Sequence, residues 1–100
     1  MKALLDGEVL AEASADDVVS IEGNWYFPPA SVTEGTLTAS PTPYTCAWKG
    51  ECQYYTVSVG ERTVPDGAWA YPNLIPGAVE RVGRDFAGFV TFGPNAEVVD

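Results

Sequence analysis

Residues 52–60, CQYYTVSVG, alternate with a period of two. Tyr55, Val57 and Val59 fall on one side of an extended chain, and Tyr54, Thr56 and Ser58 on the other. A run of β-branched and aromatic residues with this alternation predicts a strand with one inner face, and the chain around it must supply the sheet. The flanking punctuation agrees. EVLAEA (8–13) and DVVSIEG (17–23) are short β-branched runs parted by the polar SADD. NWYFPP follows Gly23, so residues 18–27 predict a hairpin turning at Glu22-Gly23-Asn24. Pro28 and Pro29 end it, because neither can donate a ladder hydrogen bond.

The remaining segments are short. ASVTEGTLTAS has room for one helical turn closed by Gly35, and SPTPYT predicts an extended connector held near polyproline geometry. After a GERTVPDG turn, AWAYP (68–72) is a second short strand, stopped by Pro72. LIPGAVERVG predicts a turn of helix, with Pro76 near its start and Gly83 past its end. FAGFVTFG (86–93) is a strand, and AEVV (96–99) is expected to pair with it across Gly93-Pro94-Asn95. The expectation is an all-β, mainly antiparallel single domain over residues 1–100, with one or two short helical turns.

Charge narrows the partners. Fourteen acidic residues against five basic ones give a formal net charge of −9. No cation lies between Lys2 and Lys49, and beyond them come only Arg62, Arg81 and Arg84. Nucleic-acid binding draws on cations that neutralise phosphates, so neither nucleic acid nor an anionic membrane surface is an expected partner. The opening MKALLDGEVL is broken by Asp6 and Glu8, which argues against a secretory leader. No stretch approaches the ~18 apolar residues of a membrane span. A cytoplasmic location is expected, with Cys46 and Cys52 as reduced thiols. Monomer and homodimer both stay open.

The chain has no histidine. That removes Ser-His-Asp and Cys-His nucleophile activation, imidazole acid–base chemistry and the HExxH zinc site. Cys46 and Cys52 are five residues apart with no second thiol pair, so no metal is predicted. Asp16 and Asp17 are neighbours, and on a strand they would face opposite ways. A phosphate-binding loop needs a glycine-rich turn opening a helix with a lysine behind it. GERTVPDG and WKGE each hold only part of that pattern. No cofactor is expected.

What chemistry remains gathers in TCAWKGECQYY (45–55). A thiol gains nucleophilicity beside a cation, and Lys49 lies three residues from Cys46, within reach on a turn. The plainer alternative packs Cys46 as a small apolar residue, turns the chain at Gly50 and leaves Lys49 solvated. Cys52 opens a strand of core residues and is expected to be buried filler. In AWAYP, Trp69 and Tyr71 share one face and Ala68 and Ala70 the other. In NWYFPP, Trp25 and Phe27 share a face with Tyr26 opposite. Twelve aromatics exceed the needs of two thin sheets, so some are expected to line a pocket, where tyrosine hydroxyls suit polar recognition.

The residues also form an ordered pattern: VLAEA (9–13), Tyr26-Phe27-Pro28, Ser40, Thr42, Thr45, Cys46, Lys49-Gly50, Tyr54-Tyr55, Ala68-Trp69, Tyr71-Pro72 and GFVTF (88–92). Taken together and in this order, they resemble the domain of unknown function (DUF) family 427, sometimes filed as nucleotidyltransferase-like. The resemblance covers most of the chain. It implies a compact β domain of the β-tent, Mss4-like kind, a fold that hosts several unrelated functions. Two departures stand out. Ala47 follows the cysteine where the family usually has proline, and the paired CxxC zinc ligands of β-tent relatives are missing. Nucleotidyl transfer needs spaced carboxylates for Mg²⁺ and cations around a triphosphate, and this chain offers an adjacent Asp pair and few cations.

Three functions follow. The first is a small binding module whose pocket is formed by Tyr26, Cys46, Lys49, Trp69 and Tyr71, with Lys49 fixing an anionic group of a small-molecule ligand. The second is a structural domain whose aromatics meet another chain. The third is a low-turnover enzyme with Cys46 and Lys49 as its catalytic candidates. A concave aromatic pocket with Lys49 directed into it favours the first. An apolar convex patch favours the second. A solvent-open Cys46 within about 4 Å of the ammonium favours the third.

Overall fold

The computed structural model describes Met1 to Asp100. Its strands are β1 (Lys2–Leu5), β2 (Glu8–Glu12), β3 (Val19–Ile21), β4 (Asn24–Tyr26), β5 (Leu37–Ala39) and β6 (Thr45–Cys46). There follow β7 (Gly50–Glu51), β8 (Gln53–Val59), β9 (Arg62–Ala70), the helix α1 (Ala78–Val82), β10 (Val90–Phe92) and β11 (Glu97–Val99). All pairings are antiparallel. One sheet runs β11-β1-β2 and another β10-β9-β8-β5, with β3-β4 and β6-β7 as separate hairpins. The predicted all-β single domain is the fold observed.

The longest sheet forms around the alternating strand. On β8, Tyr55, Val57 and Val59 face one core while Tyr54 packs against Trp69 on the other side. GERTVPDG, expected to be a turn, is mostly strand. Val59 pairs with Arg62, so the turn is Gly60-Glu61 alone and β9 begins at once. Pro65, Asp66 and Gly67 fit inside the strand through a bulge. Val57 faces Val64 and Tyr55 faces Ala68, so two steps of β8 span four of β9. A bulge leaves backbone N–H groups outside the ladder, which is where a proline costs least.

Four further expectations change. Residues 96–99 do not pair with the 86–93 segment but with β1, Lys2 opposite Val99. The outer edge of β10 is met at its Val90 end by Phe27. One side pairs with β9, and on the other Phe27 and Val90 exchange N–H to C=O bonds of 2.8 Å in both directions. The 86–93 run is extended only at Val90–Phe92, because Phe89 N–H bonds back to the Phe86 carbonyl at 3.0 Å and makes a turn that buries Phe86. The helical turn foreseen near Gly35 lies earlier, as a 3-10 turn at Pro29–Ser31, and Gly35 instead leads into β5. Asp16 and Asp17 lie on a second 3-10 turn, Ala15–Asp17, rather than a strand. The helix foreseen in LIPGAVERVG forms as α1, closed by Gly83 in the left-handed region with its N–H on the Val79 carbonyl at 2.7 Å.

Two hairpin turns share one device. Asp6-Gly7 and Glu22-Gly23 both join their strands with two residues at positive φ, 51° and 83° in the first and 54° and 84° in the second. Their backbone twist matches that of the strands they join. The β3-β4 turn is therefore one residue shorter than expected, and Asn24 belongs to β4.

Side chains from these strands fill two clusters. The first holds Ala3, Leu5, Leu10, Val18, Phe27, Val57, Ala68, Ala70, Val90 and Phe92. The second holds Val19, Ile21, Tyr26, Cys46, Tyr71, Ala78 and Phe86. Phe27 meets Phe92 edge-on at 6.0 Å in the first, and Tyr26 meets Phe86 edge-on at 6.1 Å in the second. Trp25, expected to share the face of Phe27, is instead 40% exposed while Phe27 is fully buried. No helix is long and apolar enough to cross a membrane.

Candidate functional site

The second cluster opens on a cavity of about 280 Å³, and its position follows from a local constraint at Lys49-Gly50. Residues 47–49 form the short loop between β6 and β7. Gly50 has φ 119°, and a Cβ there would stand 2.8 Å from the Asn73 carbonyl oxygen and 3.3 Å from the Ile75 Cγ2. Only glycine lets the 73–75 segment press this close. Ile75 N–H then donates to the Lys49 carbonyl at 3.1 Å, which holds the lysine backbone against the molecule.

The Lys49 side chain turns inward and is only 4% exposed, so it is not the solvated lysine of the plainer reading. Its ammonium donates to Glu22 Oε1 and lies 3.8 Å from Cys46 Sγ. It also stands 4.5 Å from the centroid of the Trp48 ring and 5.1 Å from that of Tyr71. Aromatic faces attract cations electrostatically, which offsets part of the cost of taking the charge out of water. The Trp48 indole also takes the Arg81 guanidinium of α1 at 4.4 Å, tying the helix to the site.

All five residues singled out in the sequence, Tyr26, Cys46, Lys49, Trp69 and Tyr71, line this one cavity. The alternation of AWAYP accounts for two of them: Trp69 and Tyr71 face the cavity side while Ala68 and Ala70 enter the first core. Four lining residues had not been singled out: Glu22, Asn24, Tyr44 and Tyr54. Asn24 and Tyr54 occupy strand positions whose side chains point the right way. Glu22 had been visible only as a turn residue.

Electrostatics sort the groups by role. The hydrogen bond from Lys49 is the main influence holding the Glu22 carboxyl below its usual range; partial burial opposes it, and the charges of Lys49 and Arg81 assist. Burial pushes the Tyr26 phenol up to about 12, with the Trp69 indole offsetting a little of that. Burial raises Tyr71 further still, and Tyr54 in the same direction. These phenols are neutral at physiological pH, each able to donate and accept a hydrogen bond. No buried side-chain nitrogen or oxygen lacks a partner, so the polar groups here are paired or open to the cavity. Cys46 is 9% exposed and unbridged. Burial raises the thiol of half-buried Cys52, in keeping with a packing role.

The cavity thus combines neutral hydroxyl groups, aromatic walls and one enclosed ammonium whose counterion sits at the rim. A second hollow of about 270 Å³ lies beyond Trp69, between Trp25, Thr91, Phe92 and Pro94, and no titratable side chain lines it. No three Cys, Asp or Glu side chains gather closely enough to hold a metal ion together.

Comparison with curated proteins returns no match. A family model described as a domain of unknown function, DUF427, matches residues 1–99. The match spans every element described above, and the chain belongs to the DUF427 family.

Proposed function

We propose that the protein is a binding module for a small molecule, taken up in the cavity between β4, β9 and the β6-β7 loop, and that it acts in the reducing cytoplasm. The observation that carries this reading is Lys49, a buried ammonium directed into a cavity rather than into solvent or a closed core. Burying a charge is costly unless partners are built around it, and here an aromatic pair and a carboxylate are supplied. Tyr26 and Tyr71 add hydroxyls that fix orientation, and Trp69 adds apolar area. The volume lies just below the usual range of ligand pockets, about 300–1,000 Å³, which favours a compact ligand.

The test is a fragment screen on the whole chain, read by amide and indole NMR shifts. Binders should cluster their shifts on Tyr26, Lys49, Tyr54 and Tyr71, which line this cavity and not the hollow beyond Trp69, and Lys49→Met should lose the anionic ones while keeping its fold. Shifts confined to the Trp25–Pro94 hollow would move the site elsewhere and end this reading.

A second reading rests on the 3.8 Å between Cys46 Sγ and Lys49 Nζ, which suits thiol chemistry. Alkylation by iodoacetamide separates the two. Rapid modification of native Cys46 favours an enzyme, whereas reaction only after denaturant is added leaves the thiol as part of the cavity floor.

A further inference from the structure

We infer that Glu22 occupies the seat of the ligand's own anionic group: the cavity takes a small carboxylic acid, whose carboxylate displaces the Glu22 side chain from Lys49. The inference rests on the binding reading above and names the ligand class and the residue that gates it.

Four groups surround the Lys49 ammonium, and they differ in how they are held. Cys46, Trp48 and Tyr71 belong to the packed interior or border it. Glu22 alone is supplied from outside. Its side chain is 58% exposed, against 5% for that of Lys49, and it reaches inward from the tip of the β3-β4 hairpin. An exposed side chain on a two-residue turn can rotate away without disturbing either strand, whereas the other three cannot leave without opening the core. The ammonium therefore has one replaceable partner, and that partner is a carboxylate.

The turn backbone points the same way. Three residues other than glycine have positive φ: Asp6, Glu22 and Asp66. Aspartate is among the side chains that tolerate this region, and glutamate is not. The Asp6-Gly7 hairpin uses the same backbone with the better suited residue. At Glu22 the longer side chain is kept despite the poorer local fit, and its extra methylene is what carries the carboxylate to Lys49. A residue held in an unfavourable backbone region commonly serves a site rather than the fold.

The competition has a direct consequence for affinity. A tethered carboxylate leaves the ammonium free for only part of the time, and the apparent affinity of an incoming one falls by that fraction. Neutral molecules in the same cavity do not compete for the seat and feel no such reduction. Phenol hydroxyls from Tyr26 and Tyr71 remain available to either kind.

The experiment titrates benzoate and its neutral analogue benzamide into wild type, Glu22→Gln and Glu22→Asp, followed by NMR and by Trp fluorescence. Glu22→Gln should bind benzoate roughly tenfold more tightly than wild type, with benzamide binding unchanged. Glu22→Asp suits the left-handed turn but is too short to span to Lys49, so it should also gain, and it serves if the Gln variant loses its fold. Equal or weaker benzoate binding in the folded variants overturns the inference. Benzamide binding without any benzoate binding overturns it while leaving the pocket reading intact. Binding of neither probe at the Tyr26–Trp69–Tyr71 surface removes both.

Discussion

Phe27 and Tyr26 are consecutive residues that enter different interiors. Phe27 lies in the cluster of Leu5, Leu10, Val57 and Phe92, which contains no ionisable group among its buried members. Tyr26 lies in the cluster with Cys46, Tyr71 and Phe86, beside the buried Lys49. The same division runs along β9 and its exit, where Ala68 and Ala70 serve the first interior and Trp69 and Tyr71 face the cavity of the second. The first cluster gains stability from burying apolar area, with nothing polar to satisfy. The second gives up part of that gain to keep hydroxyls, a thiol and an ammonium in place. Stability is thus concentrated on one side of shared strands and chemistry on the other.

Three substitutions or titrations probe that contrast. The largest effect belongs to the apolar side. Phe27→Ala removes a fully buried ring and its edge contact with Phe92, and should cost about 3–5 kcal/mol in denaturant unfolding. A loss under about 1 kcal/mol would mean that the first cluster does not carry the fold. Gly50→Ala comes next. It combines left-handed strain with a 2.8 Å approach to the Asn73 carbonyl and should cost about 2–4 kcal/mol. Its telling readout is position rather than stability: the Lys49 amide and the Trp48 indole should shift in NMR spectra, while the signals of Val57 and Phe92 stay fixed.

The smallest effect is a pH dependence from the polar side. Tyr26 is raised from an ordinary value of 10.0 to about 12, and Tyr71 is raised in the same direction. A native phenol that holds its proton longer than the unfolded one stabilises the fold fully below pH 10.0 and loses that contribution as pH rises through about 12. Denaturant midpoints should therefore fall over that window, and Tyr26→Phe should flatten the fall. Tyrosinate absorbance supplies the check: if the native protein ionises all its phenols together at the unfolded value, water reaches the second cluster freely.

The parts legible in the sequence were those encoded by neighbours along the chain. Alternation in residues 53–59 and in AWAYP fixed which side chains share a face, and that was enough to bring Trp69 and Tyr71 to the cavity. The helix between Pro76 and Gly83 announced itself through its cap. Pairings chosen across the fold were not legible. β11 pairs with β1, and Phe27 meets the outer edge of β10 at Val90; no local pattern records either pairing. β1 carries a local signal of its own, an Asp-Gly pair between the apolar runs ALL and VLA. The Lys49–Glu22 contact joins residues 27 positions apart. Glu22 could have been found only by asking which acid a buried lysine in TCAWKGE would need, and burial is a property of the packed molecule.

The alternation along β9 also bears on how such a domain can diversify. Because Ala68 and Ala70 are committed to one interior and Trp69 to the other side, the cavity wall can be rewritten at Asn24, Tyr54 and Trp69 while the first cluster keeps its composition. The β3-β4 hairpin adds a second degree of freedom, since its tip sets which group meets the ammonium without altering either strand. A lineage built on this scaffold could change what it recognises one residue at a time, and a selection experiment that randomises those positions would start from an already folded library.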